Sequence, residues 1–174
     1  MLNIYINTWG NYNENGADGG EWITLPMESS ELDDILARAA ERMGDNDPEW
    51  FVNDYEWTTD EHLTDISENS NYYELNELVQ RLDELDEYEQ PALFAILDAI
   101  TNDIEQALEY IESGNYQFYE DMDLTDVAEE LVNEFCFTED TPGIFTIYFD
   151  YQAFGRDLHF DGYYETKYGV IYIG

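Results

Sequence analysis

Apolar residues alternate loosely with polar ones at the start of the chain and recur every three or four positions through its middle, so sheet is expected first and helix afterwards. Residues 2–9 are rich in Ile, Tyr and Trp, and residues 21–25 (EWITL) have the same character. Gly16, Gly19 and Gly20 lie between them, which reads as a strand, a loop and a strand. Ser30 followed by Asp33 predicts a capping box, and Leu32, Ile35, Leu36 and Ala39 then keep helical spacing until Gly44. Trp50 to Trp57 (WFVNDYEW) is extended again.

From Asn71 the period is helical. Leu75, Leu78, Val79, Leu82 and Leu85 form one apolar stripe, with Glu74, Glu77, Asp83, Glu84 and Asp86 on other faces. Pro91 suits a first helical position and opens a second helix through Leu93, Phe94, Ile96, Leu97 and Ile100. A third runs through Ile104, Ala107, Leu108 and Ile111 until Gly114 stops it. Asp123 caps a helix whose buried side is Leu124, Val127, Ala128, Leu131, Val132 and Phe135, leaving Asp126, Glu129, Glu130 and Glu134 outside. After the turn at Thr141, Pro142 and Gly143, Ile144 to Tyr151 is the strongest strand in the pattern. Arg156 to Tyr164 and Val170 to Ile173 supply two more, with a hairpin tip at Lys167 to Gly169.

The expected fold class is α+β in three small domains: an N-terminal sheet with a helix over residues 1–66, a helical middle over 67–113, and an α+β domain with an antiparallel sheet over 114–174. The pattern shows no internal repeat and no low-complexity linker.

Charge changes the picture. The 174 residues hold 42 Asp and Glu against 5 Lys and Arg, a formal net of −37, yet 44% are hydrophobic and 15 Tyr, 9 Phe and 4 Trp are present. Disordered acidic tails lack that aromatic content, so the charge belongs on the outside of folded structure. The three segments net −14, −12 and −11, so none is neutral. Duplex DNA carries one negative charge per roughly 1.7 Å of axis, so the total equals that of about 60 Å of duplex. The leading expectation is a protein that presents itself to DNA-binding enzymes as DNA.

Catalytic and cofactor chemistry find little footing. Among so many acids, carboxylate pairs at any spacing arise by chance. Asp45, Asp47, Glu49 and Glu56 imitate a calcium loop, but Trp50 stands where that loop needs Gly and Pro48 interrupts it, so a solvated acidic loop fits better. His62 and His159 have no metal-type spacing and read as ordinary surface or sheet residues. The three glycines make no dinucleotide fingerprint, and no cofactor or metal is expected. Cys136, between Phe135 and Phe137, reads as a buried, inert thiol that fits a reducing cytoplasm. Five scattered cations exclude direct nucleic-acid binding. The longest apolar stretch, Pro91 to Ile100, is far short of the ~20 residues that span a bilayer, so no membrane role is expected.

Tyr148 to Leu158 reads YFDYQAFGRDL and is followed by GYYETKYGVIYIG; the chain opens with IYINTWGNYNENGADGGEW, and NDYEW ends at Trp57. These segments resemble the ArdA antirestriction family of conjugative plasmids and transposons, and the resemblance spans nearly the whole chain. It implies an elongated three-domain mimic of B-form DNA, not an enzyme, that dimerises through its C-terminal domain. Its partner would be a type I restriction-modification enzyme, whose DNA site it occupies, blocking restriction and with it modification. The region MDLTDVAEELVNEF is similar to the family's antirestriction motif, near the dimer interface. Candidate stand-ins for phosphates are Asp54, Glu56, Glu74, Glu77, Asp83, Glu84, Asp123, Asp126, Glu129, Glu130 and Glu134, and candidate interface residues are Phe149, Tyr151 and Phe154. Two other classes share the acidity: a chaperone for basic DNA-binding proteins, which would not be selective for restriction enzymes, and a halophilic enzyme, which would need molar salt to fold.

Overall fold

The sheet of the N-terminal half has its central strand at the very start of the chain. The structure, a computed structural model, describes residues 1–59, 61 and 63–174. Strand β1 (Leu2–Thr8) lies between β2 (Glu21–Leu25) and β3 (Trp50–Trp57), both antiparallel to it. Leu2, Ile4 and Ile6 point to one face and are fully buried with Ile23, Leu25 and Val52. The β1–β3 register shifts between Tyr5 and Ile6, leaving Asn53 as an extra residue. That bulge re-phases β3, so Val52 points into the core while Asp54 and Glu56 beyond it face solvent; Phe51, on the other face from Val52, is buried under the rings of Trp9 and Tyr12.

A helix α1 (Trp9–Asn15) stands where the pattern gave only the end of a strand and a loop. Thr8 caps it through a hydroxyl that accepts from the Asn11 N–H at 3.1 Å. Buried Asn11 donates to the Asn7 side chain at 2.8 Å and to the Asp18 carbonyl at 3.1 Å, which ties the glycine loop to the strand. A Cβ on Gly20 would sit 2.6 Å from the Ile6 carbonyl, so the chain passes there only as glycine.

Helix α2 (Ser29–Met43) covers the buried face of the sheet with Leu32, Leu36 and Ala39 and ends at Gly44, whose φ of 70° is left-handed. The expected Ser30 capping box does not form. The helix begins two residues earlier, after Glu28, with no side-chain cap. Helix α3 (Tyr72–Glu84) lays Leu75 and Val79 onto the same core. Its position is fixed by Asn76, buried, which pairs with Met27 at both ends of the amide: the Met27 N–H donates at 2.9 Å and the Met27 carbonyl accepts at 2.8 Å.

The chain divides into two units, Met1–Leu85 and Asp86–Gly174. In the second, α4 (Glu89–Ala99) and α5 (Ile104–Ser113) bury Ala92, Leu93, Ala95 and Ile96 and Ile104, Ala107, Leu108 and Ile111. Pro91 is the third residue of α4, not its first, because Asp86 starts the turn by accepting from the N–H groups of Tyr88 and Glu89. Strand β4 (Gln117–Glu120), which the pattern did not reveal, precedes α6 (Leu124–Leu131). Asp123 and Asp126 close a reciprocal capping box on α6.

The segment after α6 departs furthest from expectation. The helix widens into a π turn over Val132–Cys136, closed by the Phe137 N–H on the Val132 carbonyl at 3.0 Å. The wider turn rotates the end of the helix, so Phe135 is 72% exposed instead of buried and Cys136 is exposed as well. Ile144 to Tyr151 is not a strand: α7 (Gly143–Tyr148) and α8 (Tyr151–Leu158) meet at extended Phe149. Asp150 caps α8 by accepting from the Ala153 N–H at 2.9 Å. Nor is 156–164 a strand, since α8 runs to Leu158 and a 3-10 turn covers His159–Asp161 before β5 (Tyr163–Thr166) begins. β6 (Gly169–Tyr172) lies between β4 and β5, and this three-stranded sheet does not include residues 144–151. The Lys167–Gly169 hairpin tip and the α+β class stand.

Candidate functional surface

The carboxylates cover the folded cores. No Asp or Glu among the described residues is buried. Met1–Leu85 carries 21 acids and 3 bases, net −18, and Asp86–Gly174 carries 21 and 2, net −19. The ion pair of Arg42 with Glu21, at 3.0 Å, is solvent-exposed on the arginine side and offsets little of this.

All eleven candidate phosphate stand-ins are exposed. On α3, Glu74, Glu77 and Glu84 share the side opposite Leu75 and Val79, a row about 15 Å long at ~1.5 Å rise per residue; Asp83 lies off it. Asp54 and Glu56 alternate outward on β3, beside Tyr5 and Asn3 of β1. Because α2 and α3 both pack on the inner face of this sheet, Asp54 and Glu56 lie on the opposite side of the unit from the α3 row. In the second unit Asp126, Glu129, Glu130 and Glu134 line the outer side of α6 and its π turn, away from Val127, Ala128 and Val132. Asp123 and Asp126 are occupied by the capping box, which gives them a structural duty besides any surface one.

One set of acids escaped sequence reasoning. α2 runs Glu31-Leu-Asp-Asp34-Ile-Leu-Ala-Arg38 with Glu41 after it, and α3 runs Glu74-Leu-Asn-Glu77-Leu-Val-Gln-Arg81 with Glu84 after it. The two helices share one spacing of acids, a matching arginine and an apolar inner stripe. So few matching positions do not stand out before both helices are seen on the same sheet face. Tyr73 at the start of α3 donates to the Asp33 carboxylate of α2 at 2.6 Å, which holds its phenol pKa up at about 12.

The candidate interface residues form their own ring cluster: Phe149 lies 4.9 Å from Tyr151 and 5.9 Å from Phe154 and from Phe137, centroid to centroid. All three candidates are half-buried. More exposed are Ile144, Phe145, Ile147 and Tyr148 on α7, none of whose residues is buried. Among the described residues no group of His, Cys, Asp and Glu could hold a metal ion, and no helix is long and apolar enough to cross a membrane. His62 and Asp60 lie outside the described residues.

A family model for the antirestriction protein ArdA matches residues 4–172. The chain belongs to the ArdA antirestriction family. No curated protein matches it. The segments that carry the ArdA resemblance have fold-building roles. Asn7, Asn11, Gly19 and Gly20 build the first loop. Gly155 of GRDL lets α8 approach α6, since a Cβ there would lie 2.5 Å from the Leu124 carbonyl.

Proposed function

We propose that this ArdA-family protein counters restriction by standing in for DNA, without catalysis, at the DNA site of a type I restriction-modification enzyme in the cytoplasm. The observation that carries the reading is the placing of charge: both units bury ordinary apolar cores and expose every described carboxylate to some degree. Lys and Arg side chains that line a DNA channel would meet carboxylates in place of phosphates, releasing counterions from both surfaces. In the first unit acids occur both on the sheet's outer face and on the α3 row. Charge on two sides is what a duplex also offers a protein that encircles it. Blocking that site stops modification together with cleavage. The three-way division at 66 and 113 is part of this proposal, as segments along such a mimic.

The active form is a homodimer joined through residues beyond about 114. α7 supports this: a six-residue helix with four large apolar side chains 59% to 80% exposed is an unusual surface for a chain this acidic. An isologous contact would cover it twice. The test is competition. A fluorescent target duplex bound to the methyltransferase core should be displaced stoichiometrically, and a stable ternary complex of enzyme, duplex and protein would defeat the proposal.

A further inference from the structure

The first unit also holds an open cavity of about 380 Å³. Trp9, Trp50, Phe51, Tyr72 and Tyr73 give it an aromatic wall, and the polar segment 68–71 completes the lining, with Glu68 as its carboxylate. The aromatic wall is built from ring contacts. Trp9 and Phe51 stack at 4.1 Å with planes 14° apart, and Tyr72 and Tyr73 touch at 4.7 Å. The opposite side is pinned to the sheet edge, where the Val52 N–H donates to the Glu68 carbonyl at 3.3 Å. No Lys or Arg is among the described residues that line it.

Ring faces carry negative quadrupole charge and attract a cation that leaves water. One carboxylate adds a partner for its N–H groups. Among protein cations the guanidinium suits this lining best: it is planar, stacks on rings and is less strongly hydrated than an ammonium. The volume lies in the range of sites that enclose a small group. We infer that this cavity is a receptor for one arginine side chain, stacked between the Trp and Tyr rings and paired with Glu68. Resting on the proposed function, that arginine belongs to the DNA-binding face of the restriction enzyme. The mimic would then add to its diffuse charge one contact that DNA does not make in the same way.

The pocket and its role in inhibition are tested separately. All four Trp residues lie in the first unit, so their indole N–H signals can be followed in the full chain by NMR. N-acetyl-arginine amide should move Trp9 and Trp50 saturably and leave Trp22 and Trp57 still. The norleucine amide should move none. Equal movement of Trp22, which is exposed on the outer sheet face, would mean cations merely condensing on an acidic protein and would overturn the pocket. An equal response to the lysine amide would overturn its assignment to arginine. Glu68→Gln should weaken the arginine response roughly threefold to fivefold, as expected for one exposed charged contact, and an unchanged response would also overturn it. In inhibition assays Glu68→Gln should lose more than Glu31→Gln, which removes the same charge elsewhere; equal losses would remove the arginine of the enzyme as the occupant. Should the protein bind no restriction enzyme, the amide titration still reads the pocket.

Discussion

Gly155 has a packing duty within the fold. Its missing side chain brings the α8 backbone against the Leu124 carbonyl and the Thr125 N, and Leu158 then enters the C-terminal core with Tyr119, Val127 and Val170. Gly155→Ala must part α8 from α6, at a cost of about 1–3 kcal/mol for overpacking. Urea unfolding followed by near-UV circular dichroism of the tyrosines should show it. Tyr73 makes a second prediction. Its phenol is neutral when protonated and its hydrogen bond to Asp33 raises its pKa from 10.0 to about 12. Its contribution is therefore complete below pH 10 and is lost as pH rises through 12. Tyr73→Phe should make the first unit less sensitive to pH over that window, relative to each protein's own stability at pH 8, with Trp fluorescence as the probe. A wild-type and variant with parallel pH profiles would show the bond carries no stability.

At the scale of elements, sequence was informative where the apolar period met a unique cap. Leu32, Leu36 and Ala39 ended by Gly44, and Val127, Ala128 and Val132 opened by Asp123, lie inside as their spacing required. It failed where residue preference alone had to decide. GIFTIYFDY has strand composition, but the C-terminal sheet is complete as β4-β6-β5 without it, and the segment folds as α7 and the start of α8. The π turn is equally invisible to a 3.6-residue period, so Phe135 and Cys136 were placed inside. The surface acids were legible from composition, whereas the aromatic cavity joins Trp9, Trp50 and Tyr72, which only folding brings together. α7 also carries a prediction. None of its residues is buried, so Ile147→Glu with Tyr148→Glu should leave the far-UV spectrum and the unfolding midpoint nearly unchanged. Sedimentation at micromolar concentration should give a dimer for the wild type and a monomer for the variant. A variant that still dimerises would move the interface elsewhere on the C-terminal unit.

On the scale of the whole molecule, −37 acts on stability and on binding with opposite salt dependence. Folding crowds like charges that the unfolded chain spreads apart, and at about 0.5 M salt the screening length falls to a few ångström. Thermal unfolding should therefore shift upward as salt is added. Binding to a basic channel releases counterions, so inhibition should weaken over the same range. The slope of that weakening counts contacts. Neutralising one exposed carboxylate should lower it by about one unit and cost little inhibition. Glu130→Gln, Glu77→Gln and Glu56→Gln are the clean choices, on three separate elements, whereas Asp126→Asn also disturbs the α6 cap. Combined, the three should reduce the slope by about three units while each fold midpoint stays or rises, because each removes self-repulsion. Complete loss of inhibition from any one of these, in a folded dimer, would replace a distributed charge surface with a single localised site.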